Sequence, residues 1–263
     1  MAPLTVLAQL SDPHVDAGPG DTGSAAALTA AVDAVMRLDP PPDGVVVSGD
    51  LTNRSDAVSY ERVRELLAPL TMPVHVLPGN HDDREALRTW FTDDPVAGAH
   101  GAPFQYALRC GEARLVVCDT TVPGRDDGRL DAGALAWLDG QLAAEPSRPT
   151  IVAMHHAPLV VGIPAMDAVG LPAADRAALG ELLHRSPQVR RVIAGHVHRA
   201  AFGILGGCGV FACPSTHLQV RFWTGSEIVL EPAPPAFAVH TVLEGGDVAT
   251  MVQPVESGQP APA

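Results

Sequence analysis

The sequence predicts an α/β fold, and three observations carry that prediction. Short runs of apolar, often β-branched residues recur through the first 200 positions. They alternate with segments whose apolar residues repeat at helical spacing. Each run stops at a polar cluster, as strands do when they leave a buried sheet. After about residue 200 helical spacing is lost and short β-like runs follow one another. At 263 residues one large domain is the default and two are possible. We take residues 1-253 as a single domain, with 254-263, rich in Pro, Gly, Ser and Gln, expected to be a disordered tail.

Leu4 to Leu10 reads as a buried strand that ends in Ser11-Asp12-Pro13-His14. Asp16 to Gly23, rich in Gly and Asp, is a loop. Ser24 to Leu38 is a helix with Leu28, Ala31, Val32, Val35 and Leu38 on one face, stopped by Pro40-Pro41-Pro42. Val45 to Val47 is a second buried strand, ending in Ser48-Gly49-Asp50. Ser55 to Leu67 is a helix whose apolar stripe is Val58, Val63, Leu66 and Leu67. Val74 to Leu77 is a third strand, running into Pro78-Gly79-Asn80-His81-Asp82, and a helical segment starts at Arg84. Gly79 permits a close turn there, and Asp82 is expected to cap the helix.

Phe104 to Arg109 and Arg114 to Asp119 form a hairpin about Gly111-Glu112. Leu130 to Ala144 is a helix with Leu135, Leu138 and Leu142 on one face. Thr150 to Met154 is a buried strand that ends in His155-His156. Pro164 to Leu171 is irregular, and Pro172 to His184 is a helix. Val189 to Ala194 is a strand ending in Gly195-His196-Val197-His198. The later β runs are 201–205, 209–213, 218–223, 226–230, 236–243 and 247–252.

The chain carries 17 basic residues, all Arg, against 30 acidic ones, for a net charge of −13. Such a balance, without a basic run, makes the chain a poor binder of nucleic-acid polymers and anionic membranes, and neither is expected as a partner. The start Met1-Ala2-Pro3-Leu4 lacks signal-peptide character, and no apolar run reaches membrane-spanning length. Four cysteines do not make a disulfide framework. Cys208 and Cys213 sit five residues apart on one strand, too far to bridge at ~3.3 Å per residue. Symmetric pairing of the hairpin sets Cys110 opposite Ala113, not Cys118. Free thiols in a reducing cytoplasm are the expectation.

Chemistry concentrates at five strand exits: Asp12-x-His14, Asp50, Asn80-His81, His155-His156 and His196-x-His198. Alone, each could be a turn, a cap or a pair of loop histidines. Together they offer imidazole, carboxylate and amide oxygen without thiolate, a donor set for Fe, Mn, Co or Zn in numbers sufficient for two ions. Asp50, alone at its exit, is the candidate to bridge them. Two bridged ions ~3.5–4 Å apart clamp an in-line displacement at phosphorus.

This ordered series, from Asp12-x-His14 through Gly49-Asp50, Gly79-Asn80-His81-Asp82 and His155 to Gly195-His196-x-His198, resembles the calcineurin-like metallophosphoesterases over residues 4 to about 200. Val45 to Asp50, Pro78 to Asp83, Met154-His155-His156-x-Pro158 and Met166-Asp167 resemble the bacterial branch of class III cyclic nucleotide phosphodiesterases and glycerophosphodiesterases. The resemblance implies a four-layer αββα sandwich of two mixed sheets flanked by helices. It implies Asp12, His14 and His198 on one ion, Asn80, His155 and His196 on the other, and Asp50 between them. It favours His155 over His156 as ligand. It makes His81 the catalytic residue, beside the phosphate, with Asn53 able to orient it. It implies hydrolysis of small phosphodiesters, cyclic nucleotides such as cAMP or glycerophosphodiesters, by a metal-bound hydroxide. A phosphomonoesterase or protein phosphatase on the same core is the alternative. A scaffold without chemistry is disfavoured because no ligand is missing, and the His-x-His-x-Asp-His cluster of metallo-β-lactamases is absent.

Asn80, His81, His198 and His217 are the expected substrate contacts, with Met166-Asp167 a rim candidate. The roles of His156 and His217 stay open. His75, His100, His184 and His240 are expected to be structural or solvated, and Cys118 a core residue. A homodimer or larger homo-oligomer is expected, with the β-rich stretch after residue 200 as interface.

Overall fold

The computed structural model describes residues 4–18, 23–91 and 100–255. In chain order its first half runs β1 (Thr5–Leu10), α1 (Ser24–Met36), β2 (Gly44–Ser48), α2 (Ala57–Leu67), β3 (Val74–Leu77), α3 (Arg84–Trp90), β4 (Tyr106–Cys110) and β5 (Ala113–Val117). There follow α4 (Ala132–Ala144), β6 (Thr150–Met154), α5 (Pro164–Ala168), α6 (Ala173–His184), β7 (Val189–Ala194), β8 (Ala201–Leu205) and β9 (Cys208–Ala212). The chain closes with β10 (Gln219–Val220), β11 (Leu230–Glu231), β12 (Ala236–Val242) and β13 (Val248–Pro254).

Two sheets result. One has the order β13-β12-β1-β2-β3, the other β4-β5-β6-β7-β9-β8, and β10 pairs with β11 in a separate ribbon. β1, β2 and β3 are parallel, as are β5, β6, β7 and β9, while the outer strands are antiparallel. Period-two alternation explains the layering. In the second sheet Leu115, Val117, Ile151, Ala153 and Ile193 join the core of the first sheet. Their neighbours Val116, Val152, Met154 and Val192 pack instead with Leu138 and Leu142 of α4 and Leu179 and Leu182 of α6. On the other side α1 and α2 bring Leu28, Val32, Val35, Val63 and Leu66 to the first core. The order is helices, sheet, sheet, helices, which is the αββα sandwich that the sequence implies.

Several expectations need correction. Val58 is 60% exposed, and Tyr60, fully buried, takes its place in the α2 stripe. Asp56 caps that helix by accepting from Ser59 N, so it starts at Ala57 rather than Ser55. The stretch from Pro164 is not irregular throughout. Residues 164–168 form a helical turn, with Pro164 in the first position, where its missing N–H costs nothing. The Asp167 carboxylate accepts from the Val161 and Gly162 amides, so it braces this turn instead of facing a substrate. The runs at 218–223 and 226–230 shrink to the two residue pairs of the β10–β11 ribbon. Pro254 still belongs to β13, opposite Ala236, and Val255 is buried. The remainder of the expected disordered tail, 256–263, lies outside the described residues. The hairpin register pairs Cys110 with Ala113, and all four cysteines are free and buried.

His240 is the unusual core residue. On β12, fully buried, its Nε2–H donates to Gln9 Oε1 (2.9 Å) and its Nδ1 accepts from the Thr250 hydroxyl (2.9 Å). Burial, reinforced by the charge of Arg191, pushes its pKa down to about 3. Above pH ~6.5 the ring is neutral in folded and unfolded chains alike, and it contributes nothing to pH dependence. Below that, the unfolded ring takes up a proton that the folded ring refuses. Stability should therefore fall by about 1.4 kcal/mol per pH unit from this residue, down to about pH 3. Chemical denaturation of wild type and His240→Gln between pH 6.5 and pH 4 should show a slope shallower by that amount in the variant. Parallel profiles would contradict a neutral buried ring.

Candidate metal centre

Because β1, β2 and β3 are parallel in one sheet and β6 and β7 in the other, their carboxyl ends meet along one seam. The seam is tight. Asp12, His14, Asp50, His196 and His198 have φ between 46° and 66°, in the left-handed region, and Ser55 is the one further non-glycine residue of that kind among those described. Such a conformation costs about 1–2 kcal/mol per residue. Asp and His are among the few side chains that accept it with any frequency. Gly79 is needed for a different reason than a turn: a Cβ there would overlap the Asp50 carboxylate and backbone nitrogen. Gly49, at φ 93°, likewise leaves the space that the His155 ring fills.

Backbone carbonyls set the ring tautomers. His155 Nδ1–H donates to Ser48 O (2.9 Å) and His198 Nδ1–H to Leu218 O (2.9 Å). His14 Nδ1–H donates to the amide oxygen of Asn53 (2.8 Å). In all three rings the lone pair is therefore on Nε2, directed into the seam. His14 Nε2 and His198 Nε2 stand 3.0 Å apart, and Asp12 Oδ1 is 3.4 Å from His198 Nε2. The Asn80 amide oxygen is 3.0 Å from His155 Nε2 and 3.1 Å from His196 Nδ1. One oxygen of Asp50, Oδ2, is 3.5 Å from both His14 Nε2 and His155 Nε2, while Oδ1 accepts from the His81 amide (2.9 Å).

Acceptors that face one another at such distances need a proton or a cation between them. The charges agree. Burial alone would raise Asp50, but His155 and His14 hold it well below the usual carboxylate range. Burial alone would lower His155, but Asp50 and Asp12 lift it to about 9. Burial and the charge of His198 push His14 down to about 4, against the pull of Asp50. His196 Nε2 is buried without a hydrogen-bond partner. The donor set fits two ions, and metal binding would replace protons here.

The remaining residues divide. His156 is buried, with Nε2–H donating to Asp126 O (3.0 Å) and Nδ1 accepting from the Thr120 hydroxyl (2.8 Å), so neither ring nitrogen keeps a free lone pair. Asn53 does not orient His81 through its side chain. Its amide holds His14 and Asp16, and it is the Asn53 backbone oxygen that faces His81 Nδ1 (3.3 Å). Asp82 does not cap α3 either; Asp83 does, accepting from Glu85 N and Ala86 N. The Asp82 carboxylate accepts from Gly79 N, Leu51 N and Tyr60 OH, tying the β2 and β3 exits together.

A cavity of about 320 Å³ opens over the seam. Its lining combines His14, Asp50, Asn80, His81, His196, His198 and His217 with the apolar Met166, Val169, Leu218, Val220, Ile228 and Leu230. The exposed Asp126 also lines it. The sequence points to 160–170 and 215–220 as the substrate side, which holds Met166, Val169, His217, Leu218 and Val220, but Asp126, Ile228 and Leu230 carry no local signal of what they face.

The family model for calcineurin-like phosphoesterases matches residues 5–200. The 3′,5′-cyclic adenosine monophosphate phosphodiesterase CpdA of Vibrio vulnificus is 30% identical, covering 96% of this chain and 90% of its own. The glycerophosphodiester phosphodiesterase GpdQ of Enterobacter lignolyticus is 29% identical, covering 89% of this chain and 86% of its own. A dimetal phosphatase from Danio rerio superposes with a TM-score of 0.69 at 18% identity, over 95% of this chain and 99% of its own, a likeness of fold.

Gly79→Ala should keep the far-ultraviolet spectrum of the wild type yet lose most of its bound metal, because the new Cβ displaces Asp50. Metal content by plasma mass spectrometry checks this, and undiminished content would contradict the crowding.

Proposed function

The chain belongs to the calcineurin-like phosphoesterase family, and on that premise we propose that it hydrolyses small phosphodiesters, with cyclic nucleotides such as cAMP as the preferred class. Asp12, His14 and His198 would hold one ion, Asn80, His155 and His196 the other, and Asp50 Oδ2 would serve both. Imidazole, carboxylate and amide donors suit Fe, Mn, Zn or Co. When bound, two such ions polarise a phosphoryl oxygen and acidify a water. The chain's own residues do the rest. His81, its Nδ1–H held by Asn53 O, presents Nε2 as a proton donor to the departing alkoxide oxygen. Asn80 and His198 flank the phosphoryl position, and His217 borders the cavity beside them.

The observation that carries the choice of substrate is the apolar wall of the cavity. Met166, Val169, Leu218, Val220, Ile228 and Leu230 offer a flat organic group, such as a nucleobase, apolar surface in the same cavity as the metal ligands. No Arg lines that cavity among the described residues, and the chain has no Lys. Positive charge there would come from the two ions alone, which suits the single charge of a diester; a monoester dianion would have no guanidinium or ammonium for its extra charge. Asp126 supports a second reading, since an exposed carboxylate at the rim suits the ammonium of a glycerophosphodiester headgroup.

Four buried free cysteines support a cytoplasmic setting. Among the described residues no helix is long and apolar enough to cross a membrane. The exposed Phe202 and Ile204 on the edge strand β8 support a homodimer or larger homo-oligomer, and the chain through Val255 is proposed to act as one domain.

A panel of cyclic nucleotides, glycerophosphoethanolamine, bis(p-nitrophenyl) phosphate and p-nitrophenyl phosphate, each with Mn²⁺, tests the reading. Diesters should be turned over faster than the monoester, with cyclic nucleotides highest in kcat/KM, and chelation should abolish activity. His81→Ala should lower kcat by roughly 10²–10⁴-fold. Strong preference for the monoester would overturn the proposal in favour of a phosphatase. Preference for the glycerophosphodiester, lost in Asp126→Ala, would favour the second reading.

A further inference from the structure

A line of hydrogen bonds crosses the interior from the edge of the first sheet to Asp12. Thr250 Oγ1 lies 2.9 Å from His240 Nδ1, and His240 Nε2 lies 2.9 Å from Gln9 Oε1. Gln9 Nε2 is 2.8 Å from Ser48 Oγ, Ser48 Oγ is 2.7 Å from Ser11 Oγ, and Ser11 Oγ is 2.5 Å from Asp12 Oδ2. Gln9, Ser11, Asp12, Ser48 and His240 have no solvent exposure, and Thr250 is half-buried.

The chemistry of the ends fixes the direction of every link. The Gln9 atom facing Ser48 is also 3.0 Å from the carbonyl oxygen of Ala194, so it must be the amide nitrogen. Gln9 then turns its oxygen to His240, whose Nε2 must carry the proton. That leaves a lone pair on Nδ1, and Thr250 donates to it. At the other end Ser11 faces a carboxylate and donates to it. Ser11 Oγ is thereby free to accept from Ser48, which itself accepts from Gln9. The Ser48 hydroxyl has a longer alternative in Leu10 O at 3.2 Å. All five donors point toward Asp12, and aligned hydrogen bonds in a low-dielectric interior polarise one another.

Ser11 and the His196 amide grip the inner edge of the Asp12 carboxylate. Oδ1 is thereby turned to His198 Nε2. We propose that His240, Gln9, Ser48 and Ser11 are positioning residues that fix the Asp12 carboxylate and set how tightly the ion of Asp12, His14 and His198 is held. The inference rests on the reading of Asp12 as a ligand. It does not depend on which phosphodiester is cleaved. Partners of this kind behind a metal ligand are typically worth 10–100-fold in affinity.

The test is Mn²⁺ affinity of the full chain, by competition with a fluorescent chelator, together with the electron paramagnetic resonance spectrum of the loaded protein. His240→Leu removes the donor to Gln9 and should weaken one ion roughly tenfold while sparing the other. At a Mn²⁺ concentration that just fills both sites of the wild type, its spectrum should show an uncoupled ion where the wild type shows a coupled pair. His240→Gln, whose amide can still donate to Gln9, should stay within about threefold of wild type on the same scale. If His240→Leu does not fold, Thr250→Val on the edge strand, which removes the donor to His240 Nδ1, should move the affinity in the same direction, and an unchanged affinity there would overturn the relay. His240→Leu binding both ions as wild type does, or His240→Gln binding as weakly as His240→Leu, would overturn the relay while leaving the phosphodiesterase reading intact. A wild-type chain that binds no Mn²⁺ would overturn both.

Discussion

Acceptor atoms held face to face govern the seam between the two sheets. His14 Nε2 and His198 Nε2 at 3.0 Å, and Asn80 Oδ1 at 3.0 Å from His155 Nε2, cannot share a space by themselves. Ordinary side chains at these positions would rotate apart. Here Ser48 O, Leu218 O and Asn53 Oδ1 hold the rings from behind, so relief must come from a cation or a proton. The parallel strands, the left-handed exits and the glycines at 49 and 79 are the scaffold that keeps these atoms opposed.

Each proposed ion draws on both sheets. Asp12 and His14 follow β1 and His198 follows β7; Asn80 follows β3, while His155 and His196 follow β6 and β7. Metal binding would therefore add to the contacts between two layers that already meet through apolar side chains and through hydrogen bonds such as Tyr106 OH to Val76 O and Gln9 Nε2 to Ala194 O. The buried polar line through Gln9 and His240 runs along the same interlayer space and ends on the same ligand set. Stability and metal binding are thus linked through shared residues, by mass action as for any ligand that favours the folded state.

Much of the scaffold could be read from the sequence, because buried parallel strands are continuous apolar runs with abrupt polar ends. β6, β7 and β8 begin and end where the runs do. Errors came where local pattern does not decide. Asp82 and Asp83 are the same residue type in adjacent positions, and only the geometry tells the cap from the tie between loops. Val58 lost its place to Tyr60 because both fit a helical period. The turn at 164–168 is too short for any period to register. All the exit residues lie together in the seam, whereas Asn53 serves His14 with its side chain and His81 only with its backbone, a division no spacing encodes. The contact between Gln9 and His240 spans 231 positions and could not be read from either neighbourhood.

The left-handed exits bear on how such chains change over generations. The side chains that tolerate φ near +50° are Asn, Asp, His and Gly, and three of these also ligate metals. At Asp12, His14, Asp50, His196 and His198 the backbone and the chemistry select the same small alphabet. A lineage that gave up catalysis would still be pressed by its turns to keep residues from that alphabet. Motifs at these positions would fade more slowly than the activity they once served, and their persistence in a sequence partly records loop geometry.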